Sequence, residues 1–260
     1  MKFTNLTTTL FFLLIVASPL FAQDSAVLEE EKQPIISAGL SVGALFSNVN
    51  SNRLAFPVTQ LDFNKFDKHT NINEYISIHF LYHINAEYGI ESGVIYDKKT
   101  YQFSGRTDVT VGGVTFDNRE VDATYKYEYF TIPVLFKKTL GQNNLKASIY
   151  AGPYFSFLQS ATFTIQDHTI VEEHGGGFKE VTNEQALTIN ELARNTNIGI
   201  LIKAGVELEA SSIITPFANL FYAKSFSRID NLRESYPDYQ NSDGQHASYG
   251  ISVGAYFKMK

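Results

Sequence analysis

The sequence predicts an all-β protein, an eight-stranded antiparallel transmembrane β-barrel. Three observations support this prediction. Apolar residues recur at every second position in eight segments, as on one face of a β-strand. The opposite face of these segments holds mainly small and polar residues. The connections between the segments alternate between long and short, as they do between the two sides of a membrane barrel.

The N-terminal 22 residues are typical of a secretory signal peptide. Lys2 precedes the apolar stretch LFFLLIVASPLFA, which is too short for a membrane helix of about 20 residues. The cleavage point itself stays open. Residues 23–34 are acidic and lack periodicity, so we expect a periplasmic N-terminal tail there. The barrel domain is predicted over 35–260.

In the first four segments, the apolar residues of one face fall on even numbers. The predicted strands are 35–47 (Ile36, Ala38, Leu40, Val42, Ala44, Phe46), 74–84 (Ile76, Ile78, Phe80, Tyr82), 88–103 (Ile90, Val94, Tyr96) and 124–138 (Phe130, Ile132, Val134, Phe136). The loop of residues 85–87 contains an odd number of residues, which keeps the apolar faces of the second and third strands on one side. Pro133 lies inside the fourth strand, and we expect a bulge or bend there.

The last four segments keep the alternation, although the seventh is less regular. The predicted strands are 145–158 (Ala147, Ile149, Ala151, Phe155, Phe157), 196–208 (Ile198, Ile200, Ile202, Ala204, Val206, Leu208), 213–228 (Phe217 and Phe221 against Leu220 and Tyr222) and 247–258 (Tyr249, Ile251, Val253, Ala255, Phe257). A second bulge or bend is expected at Pro153.

The long connections are predicted to be extracellular loops and the short ones periplasmic turns. An even number of strands then places both ends of the barrel in the periplasm. Within the third long connection, residues 182–195 have loosely helical spacing and predict a short helix over the barrel mouth. The four long connections are 48–73, 104–123, 159–195 and 229–246.

The residues opposite the apolar face decide which face meets lipid. Glycine and serine dominate them, as at Gly39, Ser41, Gly250 and Ser252. A solvated outer surface has no need of small residues, whereas a narrow eight-stranded lumen needs them to fit larger neighbours such as Tyr256. The apolar face is therefore predicted to face lipid. The alternative is a soluble periplasmic barrel that binds a small apolar ligand inside.

Composition excludes several functional classes. The formal charge of −6 gives no electrostatic footprint for nucleic acid. The absence of cysteine excludes a disulfide framework, thiol chemistry and an N-terminal lipidated cysteine. The 15 tyrosines and 21 phenylalanines are many for a chain with 18% charged residues, and they fit the aromatic girdles of a membrane barrel.

Four stretches resemble the PorT-type outer-membrane β-barrel proteins of Bacteroidetes-like bacteria. They are YFTIPVLFKK (129–138), YAGPYFSFL (150–158), IGILIKAGVELEA (198–210) and the C-terminal YGISVGAYFK. The resemblance covers about residues 35 to 258 and implies a barrel in the outer membrane of a Gram-negative cell. Thr131 stands where that family often has an acidic residue, which changes one interior contact. PorT is implicated in secretion, a role that this resemblance does not carry over.

Five ionisable residues are predicted to point into the lumen. We expect them to form a structural polar network, because buried charges must be paired. The alternative is a proton-linked or ligand site. These residues are His79, His83, Glu91, Lys203 and Glu207.

The third long connection carries residue types that ligate metals, namely His168, Glu172, Glu173 and His174. Their spacing matches no strong metal motif, so we expect neither a metal nor a cofactor. Serine and histidine are present, but no local signature joins them into a hydrolase site.

We therefore expect a non-enzymatic barrel with a filled lumen, in contact with outer-membrane lipid. Its expected role is structural, through an envelope or secretion partner or a surface contact made by the long loops. An outer-membrane enzyme that modifies lipid is a further alternative.

Overall fold

A computed structural model describes residues 36–49, 67–111, 114–141, 144–173, 177–229 and 244–259. Among these residues, no helix is long and apolar enough to cross a membrane. The ten strands are β1 (Ile36–Val49), β2 (Asp67–Thr70), β3 (Ile72–His83), β4 (Tyr88–Val111), β5 (Val114–Leu140), β6 (Leu145–Glu173), β7 (Gly177–Thr188), β8 (Thr196–Leu208), β9 (Ile214–Ser225) and β10 (His246–Met259).

Eight of the strands close into a ring in the order β1-β3-β4-β5-β6-β8-β9-β10, and β10 pairs back with β1. Every neighbouring pair is antiparallel. The predicted eight-stranded antiparallel transmembrane β-barrel is confirmed. The two further strands lie outside the ring, with β2 paired to β4 and β7 paired to β6.

The apolar face of the strands points outward, as predicted. Leu220 is 64% exposed, and Leu40, Ile76 and Ile251 are also exposed, whereas Ser41 is buried in the interior. The alternative of a soluble barrel around an apolar ligand cavity is wrong, because it requires a polar outer surface and an apolar interior.

On β4 and β5, the polarity of the two faces inverts above one pair of outward-facing aromatic residues. Tyr96 on β4 packs against Phe130 on β5, with ring centroids 5.7 Å apart, and both face outward. Below this pair the outward residues are apolar. Above it, β5 turns Glu128 outward and buries Tyr125 and Tyr127. Lipid requires apolar contact and water requires polar contact, so the inversion marks the outer boundary of the membrane.

Above this boundary, β4, β5 and β6 continue as a sheet that stands clear of the membrane. On β4 it runs from Asp97 to Val111, roughly 50 Å of strand at about 3.3 Å per residue. We call it the raised sheet, comprising 97–111 of β4, 114–128 of β5, 160–173 of β6, and β7. Large parts of the predicted loops 104–123 and 159–195 are therefore strand.

The prediction of a short helix over 182–195 is wrong. Residues 182–188 belong to β7, and the chain then makes a turn in which the Ala193 amide donates to the Ile189 carbonyl at 3.0 Å. The apolar residues whose spacing predicts a helix lie in different parts of the structure. Leu187 lies exposed on β7, whereas Ile189 is buried against the upper interior.

The expected irregularity at the two prolines does not appear in the strand register. The β5–β6 pairing keeps one register from Tyr129 to Leu140, a stretch that contains Pro133 and faces Pro153. The register instead shifts between Glu128 and Tyr129, at the membrane boundary. The bulge moves the buried positions of β6 from even numbers below it, such as Tyr154 and Ser156, to odd numbers above it, such as Ala161 and Phe163.

The position of the boundary predicts how two outward sites on β5 tolerate charge. We expect Ile132→Arg to lower the free energy of unfolding by about 2–4 kcal/mol, because it places a guanidinium in the lipid band. The matched variant Thr124→Arg lies on the same face above the boundary and is expected to unfold like the parent chain. Urea titration of protein folded into lipid vesicles measures both. Equal destabilisation by the two variants would contradict the proposed boundary.

Candidate functional site

Glu91 is the centre of the lower lumen. Its side chain is fully buried on β4, and three side chains from other strands converge on it. Lys203 Nζ on β8 donates to Oε1 at 2.7 Å, and the Tyr256 hydroxyl on β10 donates to Oε2. His79 Nδ1 on β3 lies 3.3 Å from Oε1. Because β8 and β10 are not neighbours of β4, these contacts cross the lumen.

A second carboxylate, Glu207 on β8, is held in the same manner. Lys137 Nζ on β5 lies 2.7 Å from both of its oxygens, and the Tyr150 hydroxyl donates to Oε1. The Tyr150 hydroxyl is 3.5 Å from the Tyr256 hydroxyl, which joins the Glu207 group to the Glu91 group. Each carboxylate thus has one lysine and one tyrosine, and the linked groups carry no net formal charge.

His83 lies at the periplasmic mouth and lines one cavity together with Lys137, Glu207 and Tyr256 of these groups. Its Nε2 is 3.1 Å from Ser37 Oγ, beside this cavity of about 50 Å³. Nearby, burial alone would raise the pKa of the Glu209 carboxyl. Lys146 at 3.0 Å and Lys258 at 3.5 Å outweigh that effect and lower the pKa. The structure therefore joins four of the five predicted lumen residues by direct contacts and places His83 beside them, in the cavity at the mouth.

The Glu91 group also contains a serine–histidine–glutamate series. Ser77 Oγ is 2.7 Å and Ser41 Oγ 3.0 Å from His79 Nε2, while His79 Nδ1 faces Glu91. This order resembles that of a hydrolase triad. Ser77 and His79 are each only 2% exposed, however, and Glu91 already holds Lys203. An acyl substrate cannot reach a serine sealed inside the lumen, so the arrangement serves packing and hydrogen bonding.

Two more polar groups fill the lumen between the Glu91 group and its extracellular end. Asp97 accepts from Lys99 and, at 3.3 Å, from the Thr131 hydroxyl, so the residue that departs from the PorT-type pattern makes an interior contact. At the extracellular end, buried His246 is held by the hydroxyls of Tyr101 and, at 2.9 Å, Tyr129. An aromatic cluster surrounds this histidine and closes the upper interior.

The weak metal candidates are only partly described. His168 on β6 lies with Nε2 3.6 Å from Asp122 Oδ2 and Nδ1 3.4 Å from the Thr182 hydroxyl. Glu172 and Glu173 belong to β6, but their side chains lie outside the described set, as does His174 altogether. Within the described part of the chain, no group of three or more potential ligands gathers around one point.

Sequence reasoning missed the partners that complete the lumen. Lys137 follows the inward odd positions of β5, so its parity alone could have placed it inside. The pattern predicts Tyr256 inside the lumen, and Tyr150 falls on the small, polar face of its strand, but the pattern does not show that either hydroxyl donates to a carboxylate. Nothing in the sequence indicates which acid pairs with which lysine, because that depends on the stagger of strands across the barrel.

Comparison with known proteins gives one family match. The family model described as "Outer membrane protein beta-barrel domain" matches residues 53–229. No curated protein matches the chain.

Several solved structures are similar in architecture. Neisserial surface protein A is 11% identical with a TM-score of 0.43, over 88% of this chain and 100% of that one. OprG from Pseudomonas aeruginosa is 10% identical with a TM-score of 0.42, over 89% and 99% of the two chains. The outer membrane protease OmpT from Escherichia coli is 10% identical with a TM-score of 0.38, over 91% and 100%. At these identities and TM-scores, no functional property of the solved structures can be assigned to this chain.

The buried pair of Glu91 and Lys203 predicts strongly non-additive mutational effects. We expect Glu91→Gln or Lys203→Met alone to lower the free energy of unfolding by about 3–5 kcal/mol, because each leaves the opposite charge unpaired. The double variant should cost clearly less than the sum of the two. Urea titration in detergent micelles measures the cycle. Glu87→Gln, in the exposed periplasmic turn, is the control and should leave the midpoint unchanged; additive losses would argue against a coupled pair.

Proposed function

The chain belongs to the outer membrane protein beta-barrel domain family, and from this premise we propose that it is a non-catalytic contact protein of the cell surface. The raised sheet carries this proposal. It extends the barrel well beyond the membrane with a polar outer face, a shape that lipid anchoring alone does not require. A rigid scaffold that presents exposed elements to solvent is a common basis for binding.

The filled lumen supports a role in contact over a role in transport. The Lys203–Glu91 and Lys137–Glu207 pairs span the interior, and the aromatic residues around His246 occupy its upper part. An eight-stranded barrel has an interior just wide enough for such side chains. The polar network is thus proposed to be structural: it fixes the ring and neutralises its own charges.

The contact surface includes the four long connections 48–73, 104–123, 159–195 and 229–246, of which the second and third build most of the raised sheet. The proposed partner is an envelope or secretion protein, or a surface that the cell touches. The PorT-type resemblance supports the secretion partner. Export through the signal peptide 1–22, and a periplasmic position of tail 23–34, are part of the same proposal.

Lipid modification is not part of the proposed function. The serine and histidine that lie in a triad-like order face the interior, whereas acyl chains surround the outer face of the barrel. We therefore assign Ser77, His79 and Glu91 to the structural network, and no catalytic residue to the chain.

A filled lumen predicts an electrically silent barrel. We expect the folded chain to give no steady single-channel conductance in planar lipid bilayers, because the cross-lumen pairs leave no continuous path for ions. A heat-modifiable band on an unboiled gel confirms that the same preparation is folded. Stable conductance steps from folded protein would contradict the filled lumen.

The contact function predicts that the raised sheet can be removed without loss of the barrel. We expect a variant in which one Asn-Gly turn replaces residues 104–122 and a second replaces residues 163–187 to remain heat-modifiable and membrane-inserted, but to lose its surface contacts. A photo-crosslinking residue at Thr124 in cells should capture protein in the parent chain. The same residue at Val134, in the lipid band, is the control and should capture lipid only.

Full retention of the captured partners by the shortened variant, with crosslinks elsewhere on the barrel, would contradict the assignment of contact to the raised sheet.

A further inference from the structure

The last strand of the raised sheet has an open outer edge. β7 pairs with β6 along its whole length, from Thr188 opposite Thr162 to Gly177 opposite Glu173, without a register shift. No strand in the described part of the chain pairs with its other edge. Residues 182–188 are exposed on both faces of the strand. The backbone groups along this edge are therefore available to another chain.

The edge lacks several of the features that usually protect a free strand. Protected edges are short, bulged, charged, or interrupted by proline. β7 has 12 residues (GFKEVTNEQALT), no proline and no bulge. Its charged residues are Lys179, Glu180 and Glu184. A long regular edge is a template for strand addition, and its charges restrict which chains can add to it.

The charge around the edge favours one class of partner. The sequence of the paired segments, 164–173 of β6 and 177–188 of β7, contains five acidic residues and one lysine; they are Asp167, Glu172, Glu173, Glu180, Glu184 and Lys179. A second copy of these segments would meet like charge, which disfavours pairing between copies. Antiparallel pairing of two β7 strands also reverses the direction of the partner barrel, so two copies in one membrane cannot form it. A basic segment meets neither obstacle.

We propose that the outer edge of β7 binds an extended, lysine- or arginine-bearing polypeptide segment as an additional strand of the raised sheet. This inference rests on the proposed contact function and specifies the chemistry of its partner. Backbone hydrogen bonds to β7 provide the attachment, and the acidic paired segments of β6 and β7 select for positive charge. Leu187, which is 42% exposed, offers an apolar contact to one side chain of the added strand.

Binding of defined peptides to the full chain, folded in detergent, tests the proposal. The probe is a fluorescent ten-residue peptide of alternating threonine and lysine, followed by fluorescence anisotropy at low salt. We expect binding to weaken about tenfold or more when alternate backbone amides of the peptide are N-methylated, because methylation removes the donors that strand addition needs. A threonine–glutamate peptide of equal length should not bind.

Two charge variants locate the binding edge. Glu184 lies on β7, whereas Glu120 lies on β5 within the same sheet and is 63% exposed. We expect Glu184→Lys to weaken binding of the threonine–lysine peptide about fivefold or more, and the matched control Glu120→Lys to change it less than twofold. The gel shift on heating shows that both variants are folded.

Equal binding of the N-methylated and unmethylated peptides would overturn the proposal, since it would indicate charge attraction alone. Equal effects of the two charge variants, or pairing of the chain with itself through β7, would also overturn it. The shortened variant tests the contact function separately. If that variant loses its surface contacts while the full chain binds no peptide at β7, strand addition is rejected and the contact function is retained.

Discussion

The rest of the structure depends on one constraint: inside a bilayer, every backbone N–H and C=O must find a partner within the protein. β10 satisfies it by pairing with β1 through fourteen consecutive residue pairs, which closes the ring. Closure with eight strands fixes a narrow lumen. The narrow lumen in turn leaves little room for water, so the inward side chains must satisfy one another. The bilayer thus requires a closed ring of strands, and the narrow lumen of that ring requires its buried charges to pair.

Glycine and aromatic residues solve the packing problem that this constraint creates. At Gly39, a Cβ atom would lie 2.7 Å from Cδ1 of Tyr256, and at Gly250 it would lie 2.5 Å from Cζ of Phe221. Both distances are shorter than a carbon–carbon contact allows. The missing side chain at Gly39 lets the Tyr256 ring lie against the wall and direct its hydroxyl to Glu91. A small residue on β1 thereby helps to position a hydrogen-bond donor for the carboxylate on β4.

Most of the barrel was predictable because lipid imposes a simple alternation. Where one face must be apolar, as at Ile76, Ile132 and Ile251, period two reads directly from the sequence. The raised sheet was not predictable in this way, because its polarity is inverted. Above Phe130 the buried residues of β5 include Tyr125 and Tyr127, on the parity that carries Thr131 and Lys137 lower in the strand. A search for one continuous apolar face therefore ends at the membrane boundary.

The inversion also explains how the raised sheet is stable outside the membrane. The inner face of its β4, β5 and β6 strands is covered by the chain itself. The turn after β7 brings Ile189 and Ala193 onto the aromatic cluster, and Ile229 joins them. The Ile189 amide donates to Ala161 on β6 at 2.8 Å, and the Arg194 amide donates to Ile229 at 2.8 Å. These internal contacts involve neither the outer face of the raised sheet nor the outer edge of β7. That face and that edge remain accessible to a partner, while the ion pairs below hold the barrel that carries them.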